Sequence, residues 1–170
     1  MKFVPFHRLS TLAARRAQGD FHSAPETVWL VWEPGSWTPA HPTQEGTAPR
    51  DLKAAWDDAL TADALVFELV PDAAPTRFVV GRSRTCEVLI NDATVSRTHL
   101  SLSHSAKKWT VALAPGGKEA SFNGAPLTTT PVALHSGLTL GIGSVQLTFL
   151  TRSAFEERLR REAGRKKAKR

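Results

Sequence analysis

Three residues in one short stretch of the chain, Arg82, Ser96 and Arg97, have side chains suited to binding a phosphate group. An arginine supplies positive charge and a planar fork of N–H donors, and a serine hydroxyl supplies a short neutral donor. A phosphate ester on a side chain carries about two negative charges and needs both kinds of donor. Loops held at the end of a rigid scaffold present such donors with little ordering cost on binding. The residue types therefore predict a phosphate site.

The stretch that contains these residues also resembles a known family. Residues 81–99 read Gly-Arg-Ser-Arg-Thr-Cys-Glu-Val-Leu-Ile-Asn-Asp-Ala-Thr-Val-Ser-Arg-Thr-His. Without a gap, this run resembles the Gly-Arg opening, the acidic-apolar strand, the Asp and the Ser-Arg-x-His signature of forkhead-associated (FHA) domains. Further matches, which extend the resemblance to about half of the chain, are Trp109, Val111, Asn123, Gly124, Leu127 and residues 138–141 and 145–149.

The resemblance implies a module that binds phosphothreonine peptides and prefers threonine to serine because a pocket holds the γ-methyl group. It implies phosphate contacts at Arg82, Ser96 and Arg97. The full set of residues that we predict to bind the phosphopeptide is Arg82, Ser83, Ser96, Arg97, Thr98 and Lys118. The residues that we predict to have a structural role in the motif are Gly81, His99, Asn123 and Gly124.

One part of the family pattern is missing. FHA domains carry an asparagine before the second Asn-Gly turn that holds the backbone of the bound peptide. Counted back from Asn123 without a gap, Lys118 stands in its place and Gly117 replaces a threonine. A shifted register that uses residues 121–124 for this motif needs a deletion, so we prefer the ungapped register. The phosphate contacts are then retained and part of the peptide clamp is lost.

The predicted site residues can also be explained without a ligand. Arg82 and Lys118 can be solvated loop residues, and Ser96 can close its own turn. Arg97 can pair with Asp92 instead of a ligand. For His99, the resemblance implies an internal hydrogen bond that braces the recognition loop, and no second metal ligand lies at a useful spacing.

The elements that position these residues are predicted to be strands. Short stretches rich in β-branched residues alternate with turn formers, which is typical of an all-β sandwich. The absence of helical patterns between them excludes a parallel α/β fold. The predicted strands are residues 64–70, 77–80, 87–90, 100–104, 109–114, 131–134, 138–141 and 144–150. We therefore predict an FHA-type β-sandwich over residues 64–150.

Residues 1–63 are predicted to form a mixed extension. We expect a helix over residues 7–18, a strand over 27–32, an irregular proline-rich connector over 33–49 and a short helix over 51–60. This extension contains Trp29, Trp32, Trp37 and Trp56. Aromatic residues at this density are unusual in a disordered linker, so part of the extension should pack on the domain.

The positive charge lies at the C-terminal end. Residues 151–170 contain nine Lys and Arg against three Glu, which accounts for the net charge of +6, whereas residues 1–150 have no net charge. The spacing of Phe155 and Leu159, with Glu156 and Glu157 before Arg160 and Arg161, predicts a basic helix and tail over residues 151–170. Such a tail is usually a solvated extension, but it can bind nucleic acid, an acidic partner or an anionic membrane surface.

Composition limits the remaining functions. No apolar run is long enough to span a membrane, and residues 1–20 lack the apolar stretch of a signal peptide, so we expect a cytoplasmic protein. The single cysteine, Cys86, can form neither an internal disulfide nor a thiolate metal site, and we expect no structural role for it. We find no catalytic motif, metal site or cofactor site.

The sequence thus predicts a phosphothreonine-dependent adaptor in Ser/Thr kinase signalling and not an enzyme. Two alternatives stay open: a phosphate-independent assembly scaffold built on the same fold, and association with nucleic acid through residues 151–170.

Overall fold

The computed structural model describes residues 4–35, 63–72 and 76–168. Within these residues the chain forms twelve strands and two helices. In chain order they are β1 (Phe6–Arg8), α1 (Leu9–Ala17), β2 (Val28–Trp32), β3 (Leu65–Leu69), β4 (Thr76–Gly81), β5 (Val88–Leu89), β6 (Leu100–Ser105), β7 (Lys108–Leu113), β8 (Ala120–Phe122), β9 (Ala125–Pro126), β10 (Val132–Ala133), β11 (Thr139–Ile142), β12 (Val145–Thr151) and α2 (Arg152–Ala168).

The strands form two sheets that pack face to face. One sheet has the order β1-β3-β2-β12-β11-β8-β9 and the other has the order β10-β7-β6-β4-β5. All neighbouring strands are antiparallel except β4 and β5. Side chains alternate between buried and more exposed along β6, as expected for a strand with one face on a core. The predicted all-β sandwich is confirmed.

Strand β2 is buried along its whole length. Leu30 and Trp32 face the core between the two sheets, with Phe67 and Phe149. Trp29 and Val31 face the opposite side, where α1 and α2 cover the sheet. An unbroken apolar run is the pattern of a strand with both faces covered. We predicted a boundary at residue 63 between the extension and the domain. In the structure β2, which precedes residue 63, lies between β3 and β12, which follow it, so this boundary divides a single sheet.

The first helix begins later than predicted. Phe6–Arg8 is not helical but pairs antiparallel with β3, and α1 begins at Leu9. The Asp63 carboxylate accepts a hydrogen bond from the backbone N–H of Ser10 at 3.1 Å. A carboxylate at a helix N-terminus satisfies a free N–H group and interacts favourably with the helix dipole. Asp63, which is distant in sequence, therefore supplies the capping group that Arg8 at the N-cap position does not provide.

The C-terminal helix packs on the sheet through its first turns. Phe155 and Leu159 are fully buried, and the Phe155 ring stacks on Trp29 with ring centroids 4.5 Å apart. Arg158 makes a two-fold ion pair with Glu33, with Nη2 2.7 Å from Oε2. This contact raises the pKa of the Arg158 guanidinium. The predicted helix is present, and it is anchored to the sheet.

Each predicted strand agrees with the structure to within one residue at each end. Strands β8 and β9 were not predicted. They are short and include Pro126, which lacks an N–H and is tolerated at the sheet edge that β9 forms. The predicted helix over residues 51–60, most of the connector over 33–49, Trp37 and Trp56 lie outside the described residues.

Candidate functional site

Three loops meet at one end of the sandwich: residues 82–87, residues 91–99 (the recognition loop) and residues 114–119. The N–H groups of Arg82 and Ser83 donate to the carbonyls of Ser96 and Arg97 at 2.9 and 3.0 Å. The N–H of Ala114 donates to the carbonyl of His99 at 3.0 Å. Backbone hydrogen bonds therefore hold all three loops together.

Two glycines lie where the backbone approaches the recognition loop too closely to leave room for a Cβ atom. A Cβ atom on Gly81 would overlap the backbone carbonyl of Arg97. A Cβ atom on Gly117 would lie 2.7 Å from the carbonyl oxygen of His99. The predicted structural role of Gly81 thus has a physical basis in this close backbone approach.

The three loops enclose a pocket of about 410 Å³. Five of the six predicted phosphopeptide-binding residues line it, namely Arg82, Ser96, Arg97, Thr98 and Lys118. Three of these carry a positive charge. The Nε–H of Arg82 donates to the carbonyl of Val95 at 3.2 Å, which fixes one edge of the guanidinium against the recognition loop. The pocket combines cationic groups with short hydroxyl donors, as a phosphate requires.

Ser96 is held by the residue that replaces the peptide-clamping asparagine. The backbone N–H of Lys118 donates to Ser96 Oγ at 2.9 Å. Because Oγ accepts this bond, its own proton remains available for an acceptor in the pocket. Lys118 therefore lies at the recognition loop, and its N–H orients the serine hydroxyl.

His99 braces the recognition loop from inside. Its Nδ1 accepts the N–H of Ser96 at 3.0 Å, so the proton resides on Nε2, which lies 3.2 Å from the carbonyl oxygen of Glu119 and donates to it. The ring is fully buried, and burial lowers the pKa of His99 below its usual 6.5. The neutral imidazole thus links the recognition loop to residues 114–119.

We predict that the stability of the domain falls below about pH 6.5 because His99 is neutral in the fold. The unfolded chain takes up a proton on this side chain at that pH and the folded chain does not, so stability is lost as pH falls, by at most about 1.4 kcal/mol per pH unit. Urea unfolding of the parent and of His99→Gln over this range measures the difference.

Subtraction of the stability profile of His99→Gln from that of the parent isolates the contribution of His99 to the pH dependence. Burial raises the pKa of Glu68, which makes an opposite contribution at lower pH, but this residue titrates in both proteins and cancels. Equal pH profiles of the two proteins would contradict the prediction.

Two residues outside the predicted set also shape the recognition loop. Thr94 lines the pocket, and its N–H donates to Asp92 Oδ1 at 2.8 Å. Thr94 Oγ1 accepts the N–H of Ser144 at 2.7 Å, while Ser144 Oγ donates to Asp92 Oδ2 at 3.1 Å. The buried Asp92 thereby ties the loop to the β11–β12 turn. A hydroxyl residue two positions after an aspartate is the local signal that sequence reading missed.

The expectation that Cys86 has no structural role is wrong. The buried thiol lies 3.1 Å from the carbonyl oxygen of Arg97 and donates to it. Burial raises the pKa of the Cys86 thiol to about 11, so the group keeps its proton at neutral pH. Cys86 is therefore a second internal brace of the recognition loop.

The remaining predicted residues lie around the pocket. Ser83 does not line it, and its Oγ lies 2.8 Å from Thr85 Oγ1. Thr98 lines the pocket and donates its hydroxyl to the Pro115 carbonyl at 3.1 Å. Asn123 and Gly124 both have positive φ in the β8–β9 turn, as an Asn-Gly hairpin requires.

A wider groove adjoins the pocket. Its volume is about 1050 Å³, and it shares Thr94 and Lys118 with the pocket that the three loops enclose. Its walls include Leu113 and Leu127, and Glu119 also lines it. The two cavities together form a continuous concave surface at this end of the sandwich.

Residues 4–35, 63–72 and 76–168 contain no group of three or more His, Cys, Asp or Glu side chains placed to hold a metal ion. Neither helix within those ranges has the length and apolar character needed to cross a membrane.

The family model described as "Inner membrane component of T3SS, cytoplasmic domain" matches residues 67–153. No curated protein shows significant sequence similarity to the chain. A solved structure described as "Structural and functional analysis of phosphothreonine-dependent FHA domain interactions" aligns with a TM-score of 0.50 at 15% identity, covering 74% of this chain and 97% of that one. The FHA domain of CT664 from Chlamydia trachomatis aligns with a TM-score of 0.50 at 9% identity and the same coverage.

Proposed function

Because the chain belongs to the family described as "Inner membrane component of T3SS, cytoplasmic domain" and has the FHA fold, we propose that it is an adaptor that binds phosphothreonine-containing segments of partner proteins. The pocket formed by the three loops is the proposed binding site, and the proposed function is interaction, not catalysis. The observation that carries the proposal is the placement of Arg82, Ser96 and Arg97 around a single pocket.

The electrostatics of the pocket support a phosphate ligand. Arg82, Arg97 and Lys118 supply positive charge. Asp92, the acidic residue of the recognition loop, is buried and accepts hydrogen bonds from Thr94 and Ser144. Its carboxylate is thus directed toward internal donors. A dianion gains more than a neutral threonine from such a pocket, so binding depends on phosphorylation.

Binding to paired peptide libraries tests this function. We expect a degenerate phosphothreonine library to bind and the unphosphorylated library not to bind. A phosphoserine library provides the matched control, because the proposed γ-methyl pocket favours threonine. Equal binding of the phosphorylated and unphosphorylated libraries would refute the proposal.

Substitution of Lys118 tests whether the peptide clamp can be restored. Lys118→Asn and Lys118→Ala remove the same charge and keep the backbone N–H that bonds to Ser96. The asparagine amide adds a donor and an acceptor for the peptide backbone, so we expect Lys118→Asn to bind a phosphopeptide about 3- to 10-fold more tightly than Lys118→Ala. Fluorescence anisotropy measures both constants. Equal affinities would show that position 118 does not clamp the peptide.

A second candidate function is phosphate-independent assembly. Two observations favour it: the replacement of the clamping asparagine by Lys118, and a family description that names a component of a larger system. Pull-down of partners before and after phosphatase treatment separates the candidates. Loss of partners after treatment supports the phosphothreonine adaptor, whereas unchanged recovery supports assembly without phosphate.

A further inference from the structure

A separate cavity lies at the end of the sandwich opposite to the phosphate pocket. Strand β6 begins beside the recognition loop at Leu100 and ends at Ser105, so the β6–β7 turn lies at the far end. The cavity has a volume of about 280 Å³ and is lined by this turn, the segment before β2 and the end of β12. It shares no residue with the phosphate pocket.

Two side chains that line this cavity contain buried polar atoms that have no hydrogen-bond partner among the described residues. They are His104, through Nδ1, and Thr27, through Oγ1. The two residues are 3% and 1% exposed. Nearly all buried polar atoms in folded proteins have a partner, so two such atoms beside one cavity require an explanation. Ser23 Oγ, four residues before Thr27, is a third such atom.

The turn at this cavity is also strained. Ala106 and Lys107 join β6 to β7 with φ values of 48° and 61°. Two-residue turns of this kind favour asparagine and glycine, because a Cβ atom makes a positive φ unfavourable. Strained backbone is found preferentially at binding sites. Here the strained turn brings Lys107 to the cavity wall.

We propose that this cavity binds a carboxylate group. The Lys107 ammonium, the Thr27 hydroxyl and a protonated ring nitrogen of His104 are donors, and a carboxylate accepts several hydrogen bonds at once. Trp109 also lines the cavity and provides an apolar wall for the carbon atoms next to the carboxylate. Glu26 on the same wall repels a phosphate dianion more strongly than it repels a monoanion.

Binding requires a local rearrangement. Nδ1 of His104 and Oγ1 of Thr27 are covered by protein in this structure, so the ring and the threonine side chain rotate toward the cavity when the ligand enters. The aromatic ring of Trp109, whose centroid lies 4.9 Å from that of His104, reports this motion.

NMR titration with propionate, and with propionamide as its neutral analogue, tests the proposal. We expect saturable shifts of the Thr27, His104 and Trp109 side-chain resonances, with a dissociation constant on the order of 1 mM for propionate. Propionamide should bind at least about tenfold more weakly. Lys107→Gln, which changes an exposed side chain, and Thr27→Val, which keeps the shape, should each weaken propionate binding about fivefold.

Shifts that do not saturate, equal binding of propionamide, or unchanged affinity in both variants would overturn the proposal. Two peptides then identify the source of the carboxylate: one with a free C-terminus and no acidic residue, and one amidated with an internal glutamate. Binding of the first supports a chain terminus, binding of the second supports an acidic side chain, and binding of propionate alone supports a small metabolite. Phosphopeptide affinity should be unchanged in both variants, which separates this site from the proposed function.

Discussion

Phosphopeptide affinity is expected to fall about 10- to 100-fold in Arg82→Ala and in Ser96→Ala, and the double variant should no longer distinguish phosphorylated from unphosphorylated peptide. A hydrogen bond to a charged group contributes about 1.5–3 kcal/mol, which corresponds to this range. Arg82 provides charge and a fork of donors, and Ser96 provides the hydroxyl that the N–H of Lys118 orients. Isothermal titration with one phosphothreonine peptide measures the loss.

Two further variants separate specific contacts from net charge. Arg84→Ala removes the same charge two residues from Arg82 but from a side chain that does not line the pocket, so its affinity should stay within about twofold of the parent. Arg82→Lys keeps the charge and loses the planar fork, and we expect an intermediate affinity. Thermal unfolding of each variant shows whether the fold is intact. Parent-like phosphopeptide binding by a folded double variant would exclude the pocket as the phosphate site.

The fold and the recognition loop were predictable because their determinants are local. The hydrogen bond from the Ser96 N–H to His99 Nδ1 joins residues three positions apart, and the Asn123-Gly124 turn needs only its own two residues to adopt positive φ. Such features depend on residue type and short spacing, which a sequence displays directly. The prediction of a β-sandwich with the FHA fold is confirmed.

Contacts between distant residues could not be predicted in the same way. The run that forms β2 indicates burial, but not that α1 and α2 cover one face and the second sheet covers the other. The Arg158–Glu33 ion pair joins residues 125 positions apart. Asp63 accepts from the first turn of α1 across 53 positions. In each case the partner is set by the topology of the chain, which local patterns do not specify.

In the candidate site, too, the features with local determinants were predicted and the contacts between loops were missed. The residue types at Arg82, Ser96 and Arg97 predicted a phosphate site, and the structure places all three around one pocket. Their roles in binding stay a prediction until measured. Thr94, Ser144 and Cys86 were missed because their contributions are hydrogen bonds across loops, and small hydroxyl or thiol side chains carry little sequence signal. The predicted association of residues 151–170 with nucleic acid or an acidic partner likewise stays a prediction.

Phe155→Ala is expected to lower the free energy of unfolding by about 3–5 kcal/mol, the range for truncation of a buried phenylalanine. The ring is fully buried, stacks on Trp29 and lies 6.0 Å from the ring of Phe21. The substitution therefore removes the centre of the cluster that joins α2 to the sheet. For a chain of this length, this loss corresponds to a melting temperature roughly 6 to 20 °C lower.

Two controls show whether the effect comes from packing between the helix and the sheet. Arg160→Ala changes a side chain that is 53% exposed and pairs only with Glu157 among the described residues, so stability should change by no more than about 0.5 kcal/mol. Phe155→Leu keeps most of the apolar volume and should give an intermediate loss. Phosphopeptide affinity at a temperature where Phe155→Ala is folded should match the parent, since no residue of α2 lines the pocket. If Phe155→Ala were as stable as Arg160→Ala, the helix would not be an integral part of the folded unit, and the domain would end at the last strand of the sandwich.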